Sequence, residues 1–157
     1  MNIFILDYDL EKCAQYHNNR HLVKMITESV QIISTACRLS GLDIGYKITH
    51  KNHPCVKWVM ESRKNFFWLY CLTIQLQKEW RLRFNHPNHT HHGAVKVLYG
   101  LPVTILALPD KELTPFALAM PDYCKTDDPV ESYRNYYMKE KQHLADWGNR
   151  GTPYWYK

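Results

Sequence analysis

The 157-residue sequence lacks the motifs of the commonest nucleotide-handling and hydrolytic enzymes. It has no G-x-x-x-x-G-K-[ST] loop, no G-x-G-x-x-G and no G-x-S-x-G. Their absence disfavours Walker-type ATP hydrolysis, a Rossmann cofactor site and the nucleophile elbow of α/β-hydrolases. No apolar run approaches the ~18 residues of a membrane span, and the opening MNIFIL is too short for a targeting segment before it meets acids. The five cysteines (Cys13, Cys37, Cys55, Cys71, Cys124) form no C-x-x-C pair and are odd in number. That usage fits buried thiols in a reducing cytosol better than a disulfide framework. No H-E-x-x-H, finger-type Cys/His spacing, internal repeat, low-complexity tract or linker occurs, so residues 1–157 read as one domain.

What is present is apolar, aromatic and mildly basic. Apolar residues make up 45% and aromatic residues 13%, enough for a folded core. Eleven Tyr and five Trp exceed the needs of a plain core and suit stacking surfaces, having an apolar body and a polar tip. The formal charge of +5 and pI near 8.9 favour an anionic partner. Nine histidines are the larger compositional anomaly.

Along the chain, MNIFILDYD reads as a strand or a buried extended arm. DLEKCAQYH reads as a short helix capped by Asp9. A long helix capped by Asn18 or Asn19 runs to about Leu39 and stops at Ser40-Gly41. Helical pattern resumes at Pro54 and continues to about Phe84, with a break expected near Lys64-Asn65. A short helix precedes Gly100. Pro102, Pro109, Pro115 and Pro121 make the next segment extended, with strands expected at VTILAL and FALAM. A last helix starts at Asp128-Pro129 and reaches about Trp147. The expected fold is mainly α: a single compact helical domain with two or three short strands.

The long helix carries an unusual stripe. At about 100° per residue, Glu28 falls about 20° from His21 and Lys24 about 60°. The apolar face of Leu22, Ile26, Val30, Ile33 and Cys37 is centred on the order of 140° away. Taken alone this is an ordinary amphipathic helix whose Lys24–Glu28 pair faces solvent. Met25 and Ile32, however, flank the polar stripe at roughly 40° and 20°. Large apolar neighbours on both sides suggest an enclosed helix whose stripe faces an internal cleft, with the charges paired or bound to a ligand.

Four other patterns bear on chemistry. His50 and His53, and His86 and His89, form two H-x-x-H pairs; zinc could use them, but loop polarity or phosphate contact is the expected use. Arg63, Lys64 and Asn65 precede an aromatic run, and Lys78, Arg81 and Arg83 alternate with Trp80 and Phe84. Basic residues among aromatics suit phosphate contact and base stacking, or else a core with solvated cations. On the last helix, Arg134 and Lys141 align within about 20° beside the face of Val130, Tyr133 and Tyr137. That edge is either a clamp for phosphate or a snorkelling rim. PFALAMPDY (115–123) could offer backbone donors to a ligand. None of these patterns calls for a cofactor.

The run D-x-D…N-x-R-H-x-x-K-M-x-x-E-x-x-Q-x-x-S-T-A, then T-H-K-N-H-P…W, A-M-P-D-Y and Y-R-N-Y-Y…K…W, resembles a family of small proteins of tailed bacteriophages, some labelled DNA repair glycosylases. The resemblance spans Asp7 to Trp155. Matching its signature are His21, Lys24, Glu28, His50, His53, Pro54, Arg134, Tyr137 and Lys141. It implies a phage setting in the cytoplasm of an infected bacterium, with nucleotide metabolism, DNA modification, DNA repair or host takeover as the task. Pyrimidine-dimer glycosylases pair an N-terminal threonine, or a similar amine, with a glutamate; this chain opens Met1-Asn2-Ile3 and departs from that pattern.

The leading expectation is therefore an enzyme acting on a DNA base or nucleotide, by N-glycosidic cleavage or base-modifying transfer. Glu28 would be the general acid/base or stabilise an oxocarbenium charge. Lys24 would be the nucleophilic amine if buried, and His21 would orient a group or shuttle a proton. Arg63, Arg134 and Lys141 would hold phosphate, Tyr133 or Tyr137 would stack on the base, and His50 and His53 would contact substrate. The expected partner is DNA or a nucleotide, without a membrane. The alternative is a non-enzymatic binder of a host protein or a small anionic ligand, for which the same cations and tyrosines serve.

Overall fold

A computed structural model describes all of residues 1–157. Six helices dominate it: α1 (Leu10–Tyr16), α2 (Asn19–Leu39), α3 (Pro54–Glu61), α4 (Arg63–Arg83), α5 (Gly93–Leu98) and α6 (Pro129–Glu140). Their starts follow local chemistry. Asp9 caps α1 by accepting from Lys12 N, Asn18 caps α2 through His21 N, and Asp128 caps α6 through Val130 N. Each satisfies an amide that a helix start leaves without a partner. Pro54 and Pro129 occupy first-turn positions where no amide proton is needed.

The two 21-residue helices, α2 and α4, pack against each other, and α1, α3 and α5 cover their flanks. Ile26, Ile33, Val56, Leu69, Leu72 and Leu76 lie in one shared core. Burial extends around most of α2: Met25, Ile32 and Glu28 are buried along with the main apolar face. Through the middle of this assembly runs the first segment, extended and buried from Asn2 to Leu6.

Three details differ from the expectations. The α3–α4 break falls at Ser62, not Lys64-Asn65, because this one extended residue (φ −156, ψ 156) ends α3 and caps α4 through Asn65 N. No strand forms at VTILAL or FALAM. Residues 99–121 turn locally, and residues 114, 117 and 119 bond to side chains of Asn65, Tyr133 and Asn2 in place of a second strand. The last helix stops at Glu140 rather than near Trp147. The chain leaves it to dock at the α1–α2 junction, where Trp147 Nε1 donates to Tyr16 O at 2.7 Å and Asn19 N donates to Asp146 O at 2.7 Å. Beyond it, Arg150 and the buried Arg83 both bond Glu79, tying the tail to α4. No helix is long and apolar enough to cross a membrane.

Candidate active site

The stripe on α2 opens onto a cleft of about 140 Å³ lined by the first segment, α2 and α6. Its walls are Met1, Asn2, Phe4, His21, Lys24, Met25, Glu28, Tyr136 and Lys141. A larger hollow between Arg38 and Ile48 also sets a carboxylate, Asp43, beside Arg38 and Lys47, but that carboxylate is exposed whereas Glu28 is buried. The lining holds one carboxylate, Glu28, and three ammonium groups, those of Met1, Lys24 and Lys141, of which the first two lie next to it. The excess of positive charge suits a polyanion.

Glu28 is 8% exposed and has three nitrogen neighbours. Its Oε2 accepts from Asn2 N at 2.9 Å and lies 3.4 Å from the Met1 α-amine; its Oε1 lies 3.2 Å from Lys24 Nζ. A buried carboxylate without such partners would be costly by several kcal/mol. The Met1 side chain is 3% exposed while the residue as a whole is only half-buried, so its accessible surface lies on the main chain beside the amine. Lys24 differs: its side chain is 66% exposed, so it stands at the mouth of the cleft and not in an enclosed site.

His21 is buried, stacked on Phe4 with ring centroids 4.5 Å apart, and its Nδ1 lies 2.7 Å from Tyr137 Oη. Burial first, then coupling to the neighbouring His17 ring and the positive charges of Lys141 and Lys24, lower its pKa to about 3. The ring is therefore neutral at physiological pH, and the Tyr137 bond fixes its orientation. It can donate or accept a hydrogen bond in the cleft without carrying charge. His53 caps α3 by accepting from Cys55 N. Its pKa is lowered by burial and by the charge of the amino terminus and His50, with Glu28 opposing. His53 thus stands within electrostatic range of the amine–Glu28 pair, whereas His50 is exposed on the preceding loop with φ 46.

The remaining expected site residues are distributed otherwise. Lys141 reaches the cleft, its Nζ 4.7 Å from the centre of the Tyr136 ring. Arg134 does not line it, although Lys141 keeps the helical bond from its N to Tyr137 O at 3.1 Å. Arg134 instead donates to Leu6 O at 2.9 Å and pairs with Asp7 at 3.0 Å, between the rings of Tyr16, Tyr154 and Trp155. Arg63 pairs with Asp110 at 2.7 Å, at the α3–α4 junction. Tyr133 and Tyr137 are fully buried and hydrogen-bonded, which leaves no ring face for a base. The tyrosine that lines the cleft is Tyr136. No group of three or more His, Cys, Asp or Glu side chains is placed to hold a metal; His86 stacks on Trp80 at 3.9 Å and His92 caps α5.

Sequence reasoning did not assign the Met1 amine, Asn2, Phe4 or Tyr136 to a site. The usable signal was the buried reading of MNIFIL combined with an enclosed Glu28, since an arm through the core carries its amine to some interior group.

An amine beside a buried glutamate in a cation-rich cleft offers a nucleophile next to an acid/base. The model of the pyrimidine dimer DNA glycosylase family matches residues 1–93. That is more than half of the 157 residues, and the chain belongs to this family. The match includes Met1, Asn2, His21, Lys24, Glu28 and His53, while Tyr136 and Lys141 lie beyond it. No curated protein and no solved structure matches the chain.

Proposed function

We propose that the protein cleaves the N-glycosidic bond of a pyrimidine dimer in DNA, using the α-amine at Met1 as nucleophile and Glu28 as acid/base. The observation that carries this reading is the 3.4 Å approach of that amine to a buried carboxylate. Proton transfer from the ammonium to Glu28 yields a free amine and a carboxylic acid side by side. The amine nitrogen bonds to C1′ of the sugar as the bond from C1′ to the base breaks, its electron pair leaving with the pyrimidine. The departing base takes the second amine proton. Glu28 then returns its proton to the ring oxygen as the sugar opens, leaving an imine between C1′ and the protein.

Lys24 and Lys141 contact the flanking phosphates on this reading, and Tyr136 takes the stacking role expected of Tyr133 or Tyr137. Neutral His21 orients the sugar or base by a hydrogen bond. A tailed-phage setting, with repair in the infected host's cytoplasm, accompanies the proposal.

Ultraviolet-irradiated duplex DNA provides the test. Wild-type protein is expected to leave alkali-sensitive sites at adjacent pyrimidines and none in unirradiated duplex. Glu28→Gln should lower the single-turnover rate by roughly 10²–10⁴-fold with DNA affinity little changed. Protein that binds DNA but leaves no such sites would return the cleft to the role of a non-enzymatic anion-binding surface.

A further inference from the structure

The first eight residues make no backbone–backbone hydrogen bond. An extended arm in a protein core would normally be registered by a sheet ladder, which fixes position at every second residue. Here the arm's polar main-chain contacts come from side chains. Asn2 N donates to Glu28 and Ile3 N to Asn2 Oδ1. The Cys13 thiol donates to Phe4 O at 3.3 Å and accepts from Leu6 N at 3.4 Å. Burial pushes that thiol up to about 11, so it keeps the proton it donates.

The two ends of the arm are held from α6 by consecutive residues. At the cleft end, Tyr133 Oη lies 3.1 Å from Asn2 Oδ1 and 2.7 Å from Ala117 O, sharing its one proton between them. The Asn2 carboxamide is further held by its own bond to Ala119 O at 2.9 Å. At the far end, Arg134 holds Leu6 O and the Asp7 carboxylate with two different nitrogens. Successive residues on a helix point about 100° apart, so α6 reaches the arm at two separated places and spans residues 2 to 7.

We infer that α6 is a clamp that sets the register of the arm, with Tyr133 and Arg134 as positioning residues for the α-amine. The inference rests on the amine–Glu28 reading for its catalytic consequence, but the clamp itself is a statement about the arm. A slip of the arm draws the amine away from Glu28, and misplacement by about 1 Å can cost roughly 10²-fold in rate. Neither residue lines the cleft, so binding of DNA does not depend on them. α6 lies wholly outside the 1–93 family match, so the clamp joins the C-terminal part of the chain to the arm through Tyr133 and Arg134.

The test compares Tyr133→Phe, Arg134→Met and Arg134→Lys with wild type by three measurements. These are hydrogen exchange of the peptide covering residues 1–8, affinity for irradiated duplex, and the single-turnover rate of borohydride-trapped imine. Tyr133→Phe and Arg134→Met should speed exchange of the Asn2 and Leu6 amides by roughly tenfold or more and slow trapping by roughly 10–10²-fold, at unchanged affinity. Arg134→Lys should restore part of both. Exchange of the arm unchanged in the variants, or rate and affinity falling together, would overturn the clamp. If Arg134→Met loses its helical circular dichroism, Tyr133→Phe, which removes a single oxygen, and Arg134→Lys still decide the matter. If wild-type protein traps no imine, the catalytic reading fails while the exchange measurement still tests the clamp.

Discussion

Two histidines in the core are held neutral by burial. His17 is fully buried, and its Nδ1–H donates to Cys13 O at 2.8 Å. Its Nε2 has no partner, so protonation there would place an unmatched N–H and a charge in the core. Desolvation lowers the His17 pKa to about 4 and that of His21 to about 3. An unfolded chain takes up these protons near the ordinary value of about 6.5. Between that pH and the folded values the unfolded state binds more protons, so stability is full above about 6.5 and is lost as pH falls. Moving from about pH 7 to about pH 5 should cost on the order of 2 kcal/mol for each histidine. Urea unfolding at the two values checks this, and His21→Gln should show a smaller loss than wild type. A midpoint that does not move with pH would mean that the imidazoles are not desolvated. The residue types of the site were legible in the sequence at this scale: His21, Glu28 and Lys141 do meet one cleft. Periodicity alone could not distinguish Tyr136 from Tyr137, because neighbouring residues differ only in which side of α6 the tertiary contacts cover.

The α3–α4 junction shows how little local sequence is needed to divide a helix. No glycine or proline marks the break. Ser62 ends one helix and caps the next, and the buried Asn65 donates to the Trp58 carbonyl at 2.7 Å, satisfying an acceptor that the end of α3 leaves free. Thr114 completes the junction by receiving Asn65 Nδ2 and donating to Glu61. Ser62→Ala should destabilise the protein by about 1 kcal/mol, the usual worth of a cap, seen as a lower urea midpoint with unchanged slope. No shift would show that Asn65 and Thr114 hold the junction by themselves. A break in this region was expected near Lys64-Asn65. The two-residue offset arose because the deciding partner, Thr114, is remote in sequence. Caps that rest on their own helix (Asp9, Asn18, Asp128) were legible; the end of α6, decided by docking of Trp147 on Tyr16, was not.

At the scale of the molecule, a buried arm, Asn2 to Leu6, brings the start of the chain to a glutamate on α2, while α6 closes the cleft from the far end of the sequence. The helical class was legible from hydrophobic period and caps, and the enclosure of α2 from Met25 and Ile32 bordering the charged stripe. The convergence of Met1 with Glu28 was not, since it depends on where an arm without regular structure threads the core. Two amines lie near Glu28, those of Met1 and Lys24; the Met1 side chain is buried and the Lys24 side chain is exposed. Wild-type protein incubated with irradiated duplex and borohydride, digested and mapped by mass spectrometry, identifies the amine that bonds to C1′. The expected adduct is on the α-nitrogen of the amino-terminal peptide, and it is absent from Glu28→Gln. An adduct on Lys24, or on no amine despite cleavage of the DNA, would contradict the α-amine mechanism.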